Sequence, residues 1–192
     1  MKKILILGFA MSSMIAQSQE VSVEKSINGV QLGLFDLSFQ NETKLQRTIA
    51  LRTEIGLNLL FATTESNDPA VEDKTSTLTV PYISLEPKWY FGLDRRARLG
   101  RNIKNNSSNY LSLKTSFISA STPITNPDNK KIVPAILAIP EFGIRRNFSK
   151  HFNYEFSGGL GYQYNIFSKG ERCSCDHSTT YIDLRARIGY DF

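Results

Sequence analysis

From Tyr181 to the last residue of the chain, apolar and polar residues alternate. Ile182, Leu184, Ala186, Ile188, Tyr190 and Phe192 fall on one side, and Asp183, Arg185, Arg187 and Asp191 on the other. A period of two marks a β-strand with one oily face and one charged face. A strand that runs to the final residue with a bare hydrocarbon face needs a cover, because exposed apolar area costs roughly 25 cal/mol per Å² in water. A second sheet or a bilayer can supply that cover. The choice between them constrains every other reading of the chain.

The first residues favour the bilayer. Met1-Lys2-Lys3 is a short positive stretch, Ile4 to about Ile15 is apolar, and Ala16-Gln17-Ser18 offers small residues for cleavage. This pattern fits a secretory signal, residues 1–18, too short to remain as a spanning helix. The mature chain would then be one domain, residues 19–192. No later stretch approaches the ~20 apolar residues that a membrane helix needs. Inside lipid only helices and closed barrels satisfy their backbone polar groups. The net charge of +5 falls to +3 once Lys2 and Lys3 are removed. That charge is spread along the chain, so a nucleic-acid partner is not expected.

Alternation recurs through the chain. Val30, Leu32 and Leu34 face one way; the phase then slips, and Phe35, Leu37 and Phe39 become the oily set, as a bulge near Leu34-Phe35 would produce. Further strands fall near 49–61, 78–91, 109–120, 133–146 and 152–166. The 152–166 strand is the cleanest: Phe152, Tyr154, Phe156, Leu160, Tyr162 and Tyr164 oppose Asn153, Glu155, Ser157, Gly159, Gly161 and Gln163. Three features favour a barrel in lipid over a soluble sandwich. The strands reach the ~10 residues of a tilted crossing. Aromatics gather at strand ends (Trp89, Tyr90, Phe91; Phe152, Tyr154; Tyr190, Phe192), as interfacial girdles require. The polar face carries full charges of both signs.

The terminal stretch Arg187-Ile188-Gly189-Tyr190-Asp191-Phe192 resembles the C-terminal signal of the small outer-membrane β-barrel families of Gram-negative bacteria. These include the transmembrane domain of outer-membrane protein A and the small adhesion-type barrels. The blocks Leu51-Arg52-Thr53-Glu54-Ile55-Gly56-Leu57, Ser84-Leu85-Glu86-Pro87-Lys88-Trp89-Tyr90 and Gly143-Ile144-Arg145-Arg146-Asn147-Phe148 are similar to stretches of uncharacterised exported barrels. The resemblance implies an all-β fold, a closed antiparallel up-and-down transmembrane barrel. It also implies an outer-membrane location, membrane lipid as neighbour, and delivery by the barrel-assembly machinery reading Ile188, Tyr190 and Phe192.

Single-chain bacterial barrels have an even number of strands. The alternating stretches number seven, and the run Val21 to Ile27 supplies an eighth if Asn28-Gly29 is a tight hairpin turn. Loops near 63–77, 122–132 and 168–180 would then face outward. The turns at 44–47 and 149–150 and the long stretch 92–108 would face the periplasm, with a short helix over Asp94-Arg95-Arg96-Ala97-Arg98-Leu99.

The inward face is the first candidate site. It would hold seven acids, Asp36, Glu42, Glu54, Glu86, Glu141, Glu155 and Asp183, and six bases, Arg52, Lys88, Lys114, Arg145, Arg185 and Arg187. Near-equal numbers of opposite charges in a narrow interior fit a salt-bridge plug; a gated path for ions or small solutes is the alternative. The outward loop segment Cys173-Ser174-Cys175-Asp176-His177 is the second. An exported cysteine pair suits a disulfide between Cys173 and Cys175. With Asp176 and His177 the same residues offer zinc or copper ligands, although Cys-x-Cys is tighter than the usual spacing. Enzyme chemistry has little to work with: His151 lies beside a periplasmic turn, and His177 has only sequence neighbours for partners. The basic run Arg95, Arg96, Arg98, Arg101 and Lys104 could touch inner-leaflet phosphates. These residues together suggest a non-enzymatic, porin-like barrel with no cofactor. Its role would be structural, or adhesive through loops that meet an extracellular ligand of unstated identity; a narrow channel and a lipid-modifying enzyme are the alternatives.

Overall fold

The structure, a computed structural model, describes residues 21–64, 74–119, 133–167 and 177–192. The 1–18 signal segment and the loop residues Cys173, Cys175 and Asp176 lie outside the described residues. Eight strands close on themselves in sequence order: β1 (Ser26–Gly33), β2 (Asp36–Lys44), β3 (Ile49–Thr64), β4 (Lys74–Trp89), β5 (Asn109–Ile118), β6 (Ala135–Asn147), β7 (Phe152–Asn165) and β8 (Ser178–Asp191). Every neighbouring pair is antiparallel, and β1 pairs with β8 to complete the ring. Every strand thus has a paired neighbour on both sides over part of its length, which is how an up-and-down sheet avoids edge pairing.

Alternation sets the two faces of the wall. On β8, Ile182 and Leu184 are exposed, while Arg187 and Asp191 are buried. Across the barrel on β4, Ile83 and Leu85 are exposed and Ser84, Glu86 and Lys88 are buried. The exposed band of Leu32, Leu37, Phe39, Ile55, Leu111, Leu113, Phe142 and Phe156 continues it round the outside. Hydrocarbon is outside and charge inside, the inverse of a water-soluble core. No helix among the described residues is long and apolar enough to cross a membrane.

Pro87 and Pro140 sit within strands β4 and β6, and the ladder skips a step at each. Pairing passes from Leu85↔Thr115 to Lys88↔Ser112, and from Ala138↔Tyr162 to Glu141↔Gly159. A proline has no N–H to give the neighbouring strand.

The eight strands are present, but the first is not the run Val21–Ile27. β1 starts at Ser26, and Asn28-Gly29 lies within it, with Asn28 opposite Asn41 and Gly29 opposite Gln40. Gly29 is there because β8 approaches closely; a Cβ would come within 2.7 Å of the Tyr190 carbonyl oxygen. The slip at Leu34-Phe35 is a hairpin turn, not a bulge. Leu32 pairs with Leu37, so an even-numbered residue faces an odd-numbered one and the parity of the outward set flips across the turn. A bulge leaves the same trace in sequence, which is why the two were indistinguishable there.

Residues 21–25 tuck under the barrel instead. The Val23 amide donates to the Arg47 carbonyl at 2.9 Å, and the Glu24 amide to Asn106 Oδ1 at 2.8 Å. Val23, Ala50, Tyr90, Leu93 and Tyr110 form a small apolar core there, with Val21 and Ile103 against it. Leu93 comes from the short helix α1 (Leu93–Arg98), and a 3-10 turn, Lys104–Asn106, brings Asn105 and Asn106 beneath the strands. The end that carries both described termini is therefore stoppered. Tyr90 belongs to this stopper and not to an outer girdle: it is fully buried, continuing the inward set of β4.

Candidate functional site: the charged interior

All the acids and bases assigned to the inward face by alternation do line the interior. Ten of them, among them Arg52, Glu54, Lys88, Arg145 and Glu155, are buried; Asp36, Asp183 and Arg185 are partly buried. Isolated charges in such a place would cost several kcal/mol each, so the pairing has to be close to complete.

Two carboxylates act as hubs. Near the stoppered end, β7 delivers Glu155. Arg52 from β3 grips it with both terminal guanidinium nitrogens, Nη1 and Nη2, at 2.8 Å each. Lys88 Nζ donates to it at 2.8 Å, Arg145 Nη1 at 3.3 Å and the Tyr110 hydroxyl at 2.6 Å. Paired, fork-shaped contacts of this type are the strong form of charged hydrogen bond. Lys88 also lies 3.8 Å from the centre of the Tyr110 ring, close enough for cation–π attraction. Tyr110 can lie flat because its ring rests over Gly143, where any side chain would collide with it.

Nearer the other end, β3 delivers Glu54. Arg187 Nη1 donates to it at 2.8 Å and Lys114 Nζ at 3.0 Å, with Ser84 at 3.2 Å and Arg52 at 3.6 Å. Arg187 also binds Asp36 at 2.7 Å. Arg185 bridges Glu141 and Asp183, the latter at 2.9 Å. Glu86 accepts from Ser112 at 2.7 Å and lies 3.7 Å from Lys88. Glu54 and Arg52 come from adjacent inward positions of one strand, so the two hubs share a cation and form one lattice.

Several members were missing from the inward set. Asp191 is buried and takes Arg145 Nη2 on both oxygens, at 2.8 and 2.9 Å. Its odd number places it with Asp183, Arg185 and Arg187, which was the available signal. With Asp191 the described interior holds eight acids and six bases. Glu42 accepts from Arg52 at 3.1 Å, from the Tyr90 hydroxyl at 2.8 Å and from Asn106. Burial and the neighbouring Glu42 carboxylate hold the Tyr90 phenol well above its ordinary pKa, so it remains a donor. Asn105 donates to Asp191 at 3.1 Å. Asn105 and Asn106 have φ of 47° and 59°, the left-handed region that asparagine tolerates better than most residues. Nothing in alternation could have placed these two, because they reach the lattice from a connecting segment.

Ile188, Tyr190 and Phe192 all point outward, and Phe192 is 70% exposed. Tyr190 packs on Phe152, 5.1 Å between ring centres, and His151 stacks on Tyr190 at 5.3 Å. His151 Nδ1 sits 2.9 Å from the Asp191 carbonyl oxygen, so this histidine ties the chain end to the turn at 148–151. His177 is exposed, its ring against Phe167 at 4.9 Å. Among the described residues no group of three His, Cys, Asp or Glu is arranged to hold a metal. Arg95, Arg98, Arg101 and Lys104 are exposed beneath the stopper, and Arg96 folds back onto the Asn102 carbonyl at 2.9 Å.

The arrangement can hold the strands in register from the inside, and around Glu155 it closes the cross-section with paired charge. Strands β2 to β8 each contribute a charged side chain that bonds to a different strand, and β1 adds the neutral Gln31, which donates to Asn153 on β7 at 3.2 Å. Comparisons with protein-family models, with curated proteins and with solved structures find no match to this chain.

Proposed function

We propose that this chain is an outer-membrane barrel whose work is structural or adhesive, carried out without catalysis and without conduction. The observation that carries the reading is the inversion of the wall, with apolar side chains outside and an ion-pair lattice inside. A water-soluble barrel would leave that outer band in contact with solvent, whereas a bilayer buries it. The aromatic contacts Trp89–Phe91, Phe148–Phe152 and Tyr190–Phe192 near the stoppered end suit an interfacial girdle on the periplasmic side. In this reading the loops between β3 and β4, β5 and β6, and β7 and β8 face outward, and any ligand meets them there.

The lattice argues against a channel. An ion passing through would have to part Arg52 from Glu155 and then displace the stopper of Tyr90, Tyr110 and Leu93. Planar-bilayer recording tests this. Wild-type protein and Glu155→Gln are expected to show no stable conductance steps; sustained steps in the wild type would overturn the non-conducting role and favour a narrow channel.

A further inference from the structure

The wall is not equally tall all round. β1 stops at Gly33, opposite Arg187, and the chain turns back at Leu34 and Phe35. Its neighbours continue past that level. β8 runs on through residues 178–186, held by β7 on its other side, and β3 runs on to Thr64, held by β4. The Leu59 amide still reaches the Phe35 carbonyl at 2.8 Å. Beyond it, among the described residues, no strand pairs with either of the two facing edges. The edges of β3 and β8 therefore bound a notch whose sill is Leu34-Phe35.

Two hollows meet at that sill. One, of about 270 Å³, lies within the barrel, where Lys114, Asp183, Arg185 and Arg187 share its lining with apolar residues such as Ile118 and Ile139. The other, of about 380 Å³, is a groove on the outer wall across β6, β7 and β8, walled by Phe142, Phe156 and Leu184. Gly158 is its floor, and a Cβ there would come within 3.0 Å of Leu184 Cδ2. Leu34, Leu184, Arg185 and Ala186 line both hollows. An apolar groove in a lipid-facing wall thus adjoins an inner cavity whose lining mixes apolar side chains with charged ones.

We propose that the notch admits a single-chain amphiphile from the surrounding outer leaflet. Its hydrocarbon chain lies in the groove over Gly158, and its polar head passes the Leu34 sill into the charged cavity. The two hollows match the two parts of such a molecule. A wholly polar solute would have no use for the groove, and an ordinary boundary lipid would have no use for the cavity. The inference rests on the bilayer reading above.

The test is a titration of the folded protein, in phosphatidylethanolamine–phosphatidylglycerol vesicles, with nitroxide-labelled stearic acid. A saturable component of one immobilised probe per protein is expected. Gly158→Leu and Ala186→Phe, which fill the groove from outside, are each expected to weaken it at least tenfold. Leu113→Phe, on the outer wall of β5, is expected to leave it unchanged. Heat-modifiable gel mobility reports folding of each variant, and Ala186→Phe carries the test if Gly158→Leu does not fold. Probe immobilised without saturation, or equally in both groove variants, overturns the inference while leaving the barrel in its membrane. Failure of the wild type to enter vesicles at all overturns the bilayer reading and this inference with it.

Discussion

The two halves of the barrel interior solve the same problem differently. Around Glu155 three cations and a phenol converge, the wall is complete on all sides, and Val23, Leu93 and Tyr90 close the end beneath. Around Glu54 two close cations and a serine converge, a cavity lies alongside, and the wall is notched above the β1–β2 turn. The first half is a sealed lattice, where charge is kept by leaving it no alternative partner. The second is a lattice with a free side, where a guest can compete. The difference follows from strand length. β3 and β4 pair over Ile49↔Trp89 to Thr64↔Lys74, whereas β1 and β8 pair only from Gly29↔Asp191 to Gly33↔Arg187.

Glu155→Gln should break the comparison most severely. It leaves Arg52, Lys88 and Arg145 crowded without their shared counter-charge, and loss of one partner from a buried ion pair costs about 3–5 kcal/mol. Glu54→Gln should cost less, about 1–3 kcal/mol, because the adjoining cavity lets Lys114 and Arg187 find other partners. Equilibrium unfolding in urea, monitored by gel mobility in vesicles, measures both; equal losses would dissolve the distinction between the halves.

Asn106→Ala comes next. It removes a donor to Glu42 and an acceptor for the Glu24 amide, and it leaves φ 59° to a residue without asparagine's tolerance of the left-handed region. A loss of about 2 kcal/mol is expected, together with faster proteolysis of residues 21–25 as the stopper loosens. Tyr110→Phe keeps the ring over Lys88 and removes only the hydroxyl on Glu155; about 1.5 kcal/mol is expected. Its counterpart in the open half, Tyr82→Phe, loses a 3.2 Å bond to Asp36 and should cost less than half as much. The smallest effect belongs to Asp94→Asn. The Arg47–Asp94 pair at 2.6 Å is about half exposed on both sides, and such pairs contribute about 0–1 kcal/mol.

How far the sequence foretold this depended on where a residue's partners lie. β7 was legible nearly to the residue and β8 from Tyr181 on, because sustained alternation leaves one possible face for Glu155, Arg185 and Arg187; residues 178–180, read as loop, extend β8. The same rule separated Glu86 and Lys88 from Leu85 and Trp89 on β4. The β1–β2 boundary was not legible. Leu34 and Phe35 are apolar and carry no glycine, proline or asparagine to mark a turn, while Asn28-Gly29 carries such a mark inside a strand. Gly29 is explained by the closeness of Tyr190, a contact between residues 161 positions apart that no local pattern encodes. The stopper escaped for a similar reason. Val23 and Leu93 look like ordinary residues of connecting segments until the barrel end above them exists.

Trp89, the one tryptophan, reports most directly on whether the outer wall meets lipid, since it stands on that wall near the stoppered end and is 50% exposed. Its fluorescence can be read in vesicles that contain lipids brominated at chosen depths. Strong quenching by lipids brominated near the headgroup is expected, with weaker quenching from the bilayer centre and protection from aqueous iodide. Quenching by iodide with no response to brominated lipid would show the outer wall in water, and the inside-out barrel would not stand.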